Sequence, residues 1–250
     1  MQIVVDGILT NYRILGDPSK ERTLVILHGW GRSQEEWCST GQTLSKQYRV
    51  VTLDLPGFGA TAQGQKDFDT YDYAKFTENF LRKLQINNCA LLGHSFGGRI
   101  AIILTANTNL IDKLILVGTA GIRDRQDKIM NKIAKLLPTK LIIGILRRFP
   151  KWHQVIAKTL KIEGYWQSKE LKNTFAKVVN QDLMSLLPKI KAPTLIIWGE
   201  RDRILNPRLG KIYKNQISDS QLRIVWEAKH DPHLEKPEQF TEIVEDFLYD

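Results

Sequence analysis

Cysteine is scarce in this 250-residue chain: Cys38 and Cys89 are its only two. Two thiols make no disulfide framework, so stability must come from a packed core, which a chain of this length can bury. Long apolar runs are missing as well. The longest, Leu141 to Leu146, is six residues with a glycine inside it, far short of the roughly 18–20 residues that span a bilayer. The first residues, Met1-Gln2-Ile3-Val4-Val5-Asp6-Gly7, lack the basic segment and apolar core of a signal peptide. A cytoplasmic protein is the expectation. No repeat or low-complexity tract is visible, which leaves one large domain or a domain with an insertion.

Acidic residues are in short supply, and the shortage is local. The chain has 36 Lys and Arg against 27 Asp and Glu, a net charge of +9. Residues 122–191 hold 16 of the basic side chains and only 5 acidic ones, so the remainder is nearly balanced at 20 to 22. No nucleic-acid motif accompanies the excess, and nucleic acid is not an expected partner.

What is present is a regular alternation. Ile3-Val4-Val5 and Ile8 to Tyr12 flank Asp6-Gly7, the signal of a β-hairpin. Thr23-Leu24-Val25-Ile26-Leu27 is a continuous apolar run, as expected of a strand covered on both faces. Further strands are predicted at Arg49 to Asp54, Cys89 to Leu92, Lys113 to Val117, Pro193 to Trp198 and Gln221 to Trp226. Helices are predicted over Glu35 to Tyr48, Tyr71 to Leu84, after Gly98, and from about Pro237 to Tyr249. Alternating strands and helices imply an α/β fold built on a doubly wound, mostly parallel sheet. The alternation stops between Ile122 and Lys191, where helical periodicity runs on without a strand and Pro138, Pro150 and Pro188 punctuate it. The expectation is a core domain from residues 1–121 and 192–250, with 122–191 inserted as a basic helical segment. Cys89, in a buried strand, reads as a core thiol.

The most informative stretch is Gly93-His94-Ser95-Phe96-Gly97-Gly98, between the strand at Cys89 and a helix. A serine between glycines at a strand-to-helix turn is a nucleophile elbow. The backbone there is strained, and side chains at the flanking positions would strike the strand and the helix. A serine hydroxyl needs a base, and the base needs an orienting acid. Of five histidines, His28 and His94 sit in backbone-shaping motifs and His153 lies in the insertion. His230 and His233 follow the last strand, at the end where doubly wound sheets place their sites, and both are candidates for the base.

These segments together resemble the α/β-hydrolases, in the lid-bearing, esterase-like branch. The likeness rests on His28-Gly29-Trp30-Gly31, Asp54-Leu55-Pro56-Gly57-Phe58-Gly59, the elbow, Trp198-Gly199-Glu200-Arg201-Asp202, and His230 to Pro237, in that order. The first two resemble pimeloyl-carrier-protein methyl ester esterases. The resemblance implies Ser95 as nucleophile, Asp202 rather than Glu200 as acid, and His230 as base, because His230 stands five residues before Glu235. One departure is Lys229, where the family usually has glycine. The resemblance also implies an oxyanion hole from the amides of Trp30 and Phe96, and a lid at 122–191. It implies a hydrolase of small-to-medium carboxylic esters that needs no metal and no cofactor. Carbon–carbon bond hydrolases of the meta-cleavage type, lactonases, thioesterases and non-enzymatic ligand receptors are the alternatives on this fold. The basic lid reads as a solvated face, a dock for an acidic carrier protein, or a contact for an anionic lipid surface.

Overall fold

A computed structural model describes residues 1–122 and 171–249. Most of the expected insertion, residues 123–170, lies outside the described residues, and with it His153 and the lid expectation for that stretch.

The strands are β1 (Gln2–Val5), β2 (Ile8–Leu15), β3 (Thr23–Leu27), β4 (Arg49–Leu53), β5 (Cys89–His94), β6 (Ile111–Val117), β7 (Thr194–Gly199) and β8 (Ser220–Val225). They form one sheet in the order β1-β2-β4-β3-β5-β6-β7-β8. β1 and β2 pair antiparallel, and β2 pairs antiparallel with β4. All remaining pairings are parallel. β3, β5 and β7 are buried at every position, which is why their sequences are continuous rather than alternating. β8, at an edge, is only partly covered and tolerates Gln221 and Arg223.

Helices cover both faces. On one, α2 (Thr70–Lys83) and α3 (Phe96–Asn107) pack with Val25, Leu27 and Leu91. Residues of α4 (Lys172–Asn180) and α5 (Arg208–Gln216) join the same core. On the other face, α1 (Cys38–Leu44) and α7 (Pro237–Tyr249) pack with Leu24, Ile26 and Leu92. A four-residue helix, α6 (Pro232–Glu235), precedes α7. α2 opens on a capping box in which Asp69 and Asp72 each accept a hydrogen bond from the other's amide, satisfying two end donors. Phe240, Val244, Phe247 and Leu248 recur at helical spacing and turn one face of α7 inward.

The long helix expected over Glu35 to Tyr48 is instead a 3-10 turn, Gln34–Trp37, followed by the short α1, which ends at Leu44. The stretch Ser39 to Thr43 offers few apolar anchors, and the amides of Ser45 and Tyr48 close back onto Gly41 and Leu44. α5 lies in a stretch for which the sequence reading assigned no element.

Chain order reverses around β3: the next strand lies on one side of it and β5 on the other. The loops after β3 and β5 therefore meet at a topological switch point, the crevice where such sheets hold their ligands. The loops after β7 and β8 open at the same carboxyl end.

Candidate active site

Ser95 sits between β5 and α3 with φ 51° and ψ −105°, a conformation that L-residues adopt only under constraint. The neighbours supply the constraint. The Ser95 amide donates to the Val117 carbonyl at 2.9 Å. A Cβ on Gly93 would lie 2.5 Å from the Gly97 carbonyl oxygen, and one on Gly97 would lie 2.4 Å from that of Leu27. Glycine at both positions is thus a matter of backbone contact, as the motif predicts.

Three of the residues singled out from the sequence come together. His230 Nε2 is 3.0 Å from Ser95 Oγ, and His230 Nδ1 is 2.8 Å from Asp202 Oδ2. A carboxylate only accepts, so Nδ1 carries the proton and Nε2 offers its lone pair to the serine hydroxyl. The other oxygen of Asp202 accepts from the amides of Ile204 at 2.8 Å and Leu205 at 2.9 Å. The buried carboxylate is fully partnered and fixed in orientation.

The competing residues lie elsewhere. Glu200 accepts from the Glu227 amide at 3.0 Å and stands beside Arg201. His233 stacks on Trp37, with ring centroids 3.9 Å apart and planes 6° apart. Burial pushes it down to about 3. Lys229, in the usual glycine position, is accommodated: it lies outside the positive-φ region and its amide donates to Glu235 at 2.9 Å.

Trp30 and Phe96 meet edge to face, with ring centroids 5.2 Å apart. Phe96 is the first residue of α3, where an N–H has no acceptor inside the helix. Phe58 packs on Trp30 at 5.0 Å, and so does Phe175 of α4. The result is an aromatic wall beside the serine. His28 is a scaffold residue: it accepts from the Leu55 amide at 3.0 Å and lies 2.8 Å from the Gly29 carbonyl. Burial pushes it down to about 4. Asp54 accepts from the Gln34 amide at 2.7 Å, the Ala60 amide at 2.9 Å and Asn11 at 2.8 Å, tying the 3-10 turn, the loop after β4 and β2 together. Cys89 is a buried core thiol, pushed up to about 12 by burial.

The sequence reading missed a second polar cluster. Glu36, His94 and His233 bring oxygen and nitrogen atoms within 4.8 Å of one another. A cation already faces them: the Arg32 guanidinium is 3.7 Å from Glu36 and 2.9 Å from Asp231. Glu36 Oε2, His94 Nδ1 and both ring nitrogens of His233 have no hydrogen-bond partner among the described residues, so charge and packing, with Arg32 as the facing cation, hold the cluster together. Its members come from three separate segments, and no spacing in the sequence links them.

Residues 22–142 match the family described as alpha/beta hydrolase fold. The chain belongs to the α/β-hydrolase superfamily. As a hydrolase of this fold, it is 26% identical to the monoacylglycerol lipase ABHD6 of Mus musculus, over 95% of this chain and 78% of that protein. It is 27% identical to the serine hydrolase BPHL of Mus musculus, over 99% of this chain and 85% of that one. Its fold matches the crystal structure of a membrane phospholipase A, described as a bacterial virulence factor, with a TM-score of 0.81 and 26% identity. That match covers 100% of this α/β-hydrolase and 85% of the other chain. Among the described residues, no helix is long and apolar enough to cross a membrane.

Proposed function

We propose that this α/β-hydrolase cleaves carboxylic esters through an acyl-enzyme on Ser95. One observation carries the reading: the hydrogen-bonded line from Ser95 Oγ through His230 to Asp202, 3.0 Å and then 2.8 Å. In the proposed reaction His230 Nε2 takes the serine proton as Oγ attacks the acyl carbonyl. The amides of Trp30 and Phe96 hold the oxyanion, donors of a kind whose removal typically costs about 10²–10³ in rate. His230 then gives the proton to the leaving alcohol, and water repeats the sequence on the acyl-enzyme. Asp202 holds the imidazole in the required tautomer and stabilises its charged form.

The aromatic wall of Trp30, Phe58, Phe96 and Phe175 suits an apolar acyl group. A lipase and a phospholipase among the similar proteins support an acyl ester as the substrate class. The basic stretch 122–191 would complement an anionic lipid surface presenting such esters. The test is a panel of nitrophenyl esters from acetate to palmitate, assayed with the wild type and Ser95→Ala. Hydrolysis by the wild type, reduced about 10⁴-fold or more in the variant, is expected. No activity on any ester would sink the function, and activity surviving in Ser95→Ala would sink the mechanism.

A further inference from the structure

Next to His230 lies a second set of titratable side chains, of which His94 and His233 are buried and Glu36 and Asp231 partly buried. Glu36 stands on the 3-10 turn before α1, His94 ends β5, Asp231 follows His230, and His233 belongs to α6. The rings of His94 and His230 are 5.0 Å apart, as are those of His94 and His233. His94 Nε2 lies 3.0 Å from the backbone carbonyl oxygen of His230. A carbonyl only accepts, so Nε2 carries the proton and Nδ1 presents a lone pair. Glu36 Oε1 faces that lone pair from 3.9 Å. An ionised carboxylate repels it, whereas a neutral carboxyl group presents a donor. Burial acts in the same direction and pushes Glu36 up to about 7. Burial also holds His94 well below the usual imidazole range, so its ring stays neutral between Glu36 and His230.

We propose that Glu36 and His94 are positioning residues for His230: His94 fixes the base through its backbone carbonyl, and the charge on Glu36, one ring away, sets how tightly the His230 imidazole holds its proton. The inference rests on the reading of His230 as the base. Among the described residues, the other charged and titratable groups around the cluster are few. Arg32, on the loop after β3, pairs with Asp231 at 2.9 Å and lies 3.7 Å from Glu36 Oε2. Asp231 Oδ1 is 3.5 Å from His94 Nε2. His233 packs against His94 from α6, and Asp202 holds the opposite side of His230 from the loop after β7. Trp37 donates its indole N–H to Glu36 Oε1 at 3.0 Å, keeping that oxygen in place. An ionised Glu36 favours protonated His230, and the guanidinium of Arg32 opposes it. Removing one or the other must therefore shift the base in opposite directions.

The test follows the histidine Cε1–H resonances by NMR from pH 4 to 9 in wild type, Glu36→Gln and Arg32→Gln, with His230→Gln to assign the signal. The His230 titration should move to lower pH by about half a unit in Glu36→Gln, and to higher pH by a similar amount in Arg32→Gln. The acid limb of the kcat/KM profile should move with it. A purely structural role would alter the melting temperature or kcat without shifts of opposite sign. Titrations that do not move, or that move the same way in both variants, overturn the proposal. Arg32 is half-exposed, so its variant carries the test if Glu36→Gln folds poorly. The NMR measurement needs no substrate, so its outcome stands apart from the Ser95→Ala ester assay.

Discussion

Ser95 occupies a backbone state that costs roughly 1–3 kcal/mol where nothing holds it. Here the Val117 carbonyl, α3 and the close backbone contacts of Gly93 and Gly97 hold it. The strain puts Oγ at the mouth of the switch-point crevice, within 3.0 Å of His230. At the far end of the line, Asp202 spends one oxygen on two amides and the other on His230 Nδ1. That division gives a clear expectation for Asp202→Asn. The amide oxygen can still accept from Ile204 and Leu205, but the nitrogen that then faces Nδ1 is a donor. The imidazole must turn its lone pair toward residue 202 and its N–H toward the serine, the wrong tautomer for a base. We expect kcat on a nitrophenyl ester to fall about 10⁴-fold with KM little changed. A loss below tenfold would show that Asp202 does not orient His230.

At the scale of elements, α4 links the edge of the insertion to the site. Arg99 of α3 donates to the carbonyls of Val178 and Gln181, and Gln181 accepts from the Thr70 amide at 2.9 Å. Lys177 donates to the Asp67 carbonyl at 2.7 Å. Held this way, α4 sets Phe175 against Trp30. Phe175→Ala should open the wall, lowering KM for longer or bulkier acyl esters relative to acetate and leaving kcat for acetate nearly unchanged. An unaltered chain-length profile would remove Phe175 from the acyl pocket. The central strands were legible because burial on both faces makes a strand a continuous apolar run, as at Leu24 to Leu27 and Leu195 to Trp198, and β1 and β2 were legible from the Asp6-Gly7 turn between them. The elbow was legible because its glycines answer to backbone collisions that no other residue avoids. α5 was not. Its buried positions are Leu209, Gly210 and Tyr213, and a glycine among basic residues does not advertise a helix. Gly210 is there for closeness: a Cβ on it would lie 3.0 Å from Leu222 and 3.2 Å from Trp198. The cluster of Arg32, Glu36, His94 and His233 was equally hidden, because it exists only after the segment following β3, the end of β5 and α6 converge.

At the scale of the whole molecule, the buried titratable groups set how stability depends on pH. His28 and His233 are pushed down to about 4 and about 3 in the folded chain, and His94 well below its ordinary 6.5, in each case chiefly by burial. The unfolded chain takes up these protons near 6.5. Their contribution is therefore complete above that value and is lost as pH falls toward the folded values, because the unfolded state then binds more protons. Glu36 acts in the opposite sense. Raised from 4.5 to about 7, its contribution is complete below 4.5 and is lost as pH rises through 7. Three histidines outweigh one glutamate, so the melting temperature should fall steadily from pH 6.5 to 4. His233 isolates the effect. Its ring stacks on Trp37, and neither ring nitrogen has a hydrogen-bond partner among the described residues. Phenylalanine keeps the stack and removes both the unpaired nitrogens and the titration. His233→Phe should melt at or slightly above the wild-type temperature at pH 7, and the gap should widen in its favour on acidification. Thermal melts at half-unit intervals from pH 4 to 8 measure this directly. Parallel curves for the two proteins would mean that His233 does not resist protonation in the folded state.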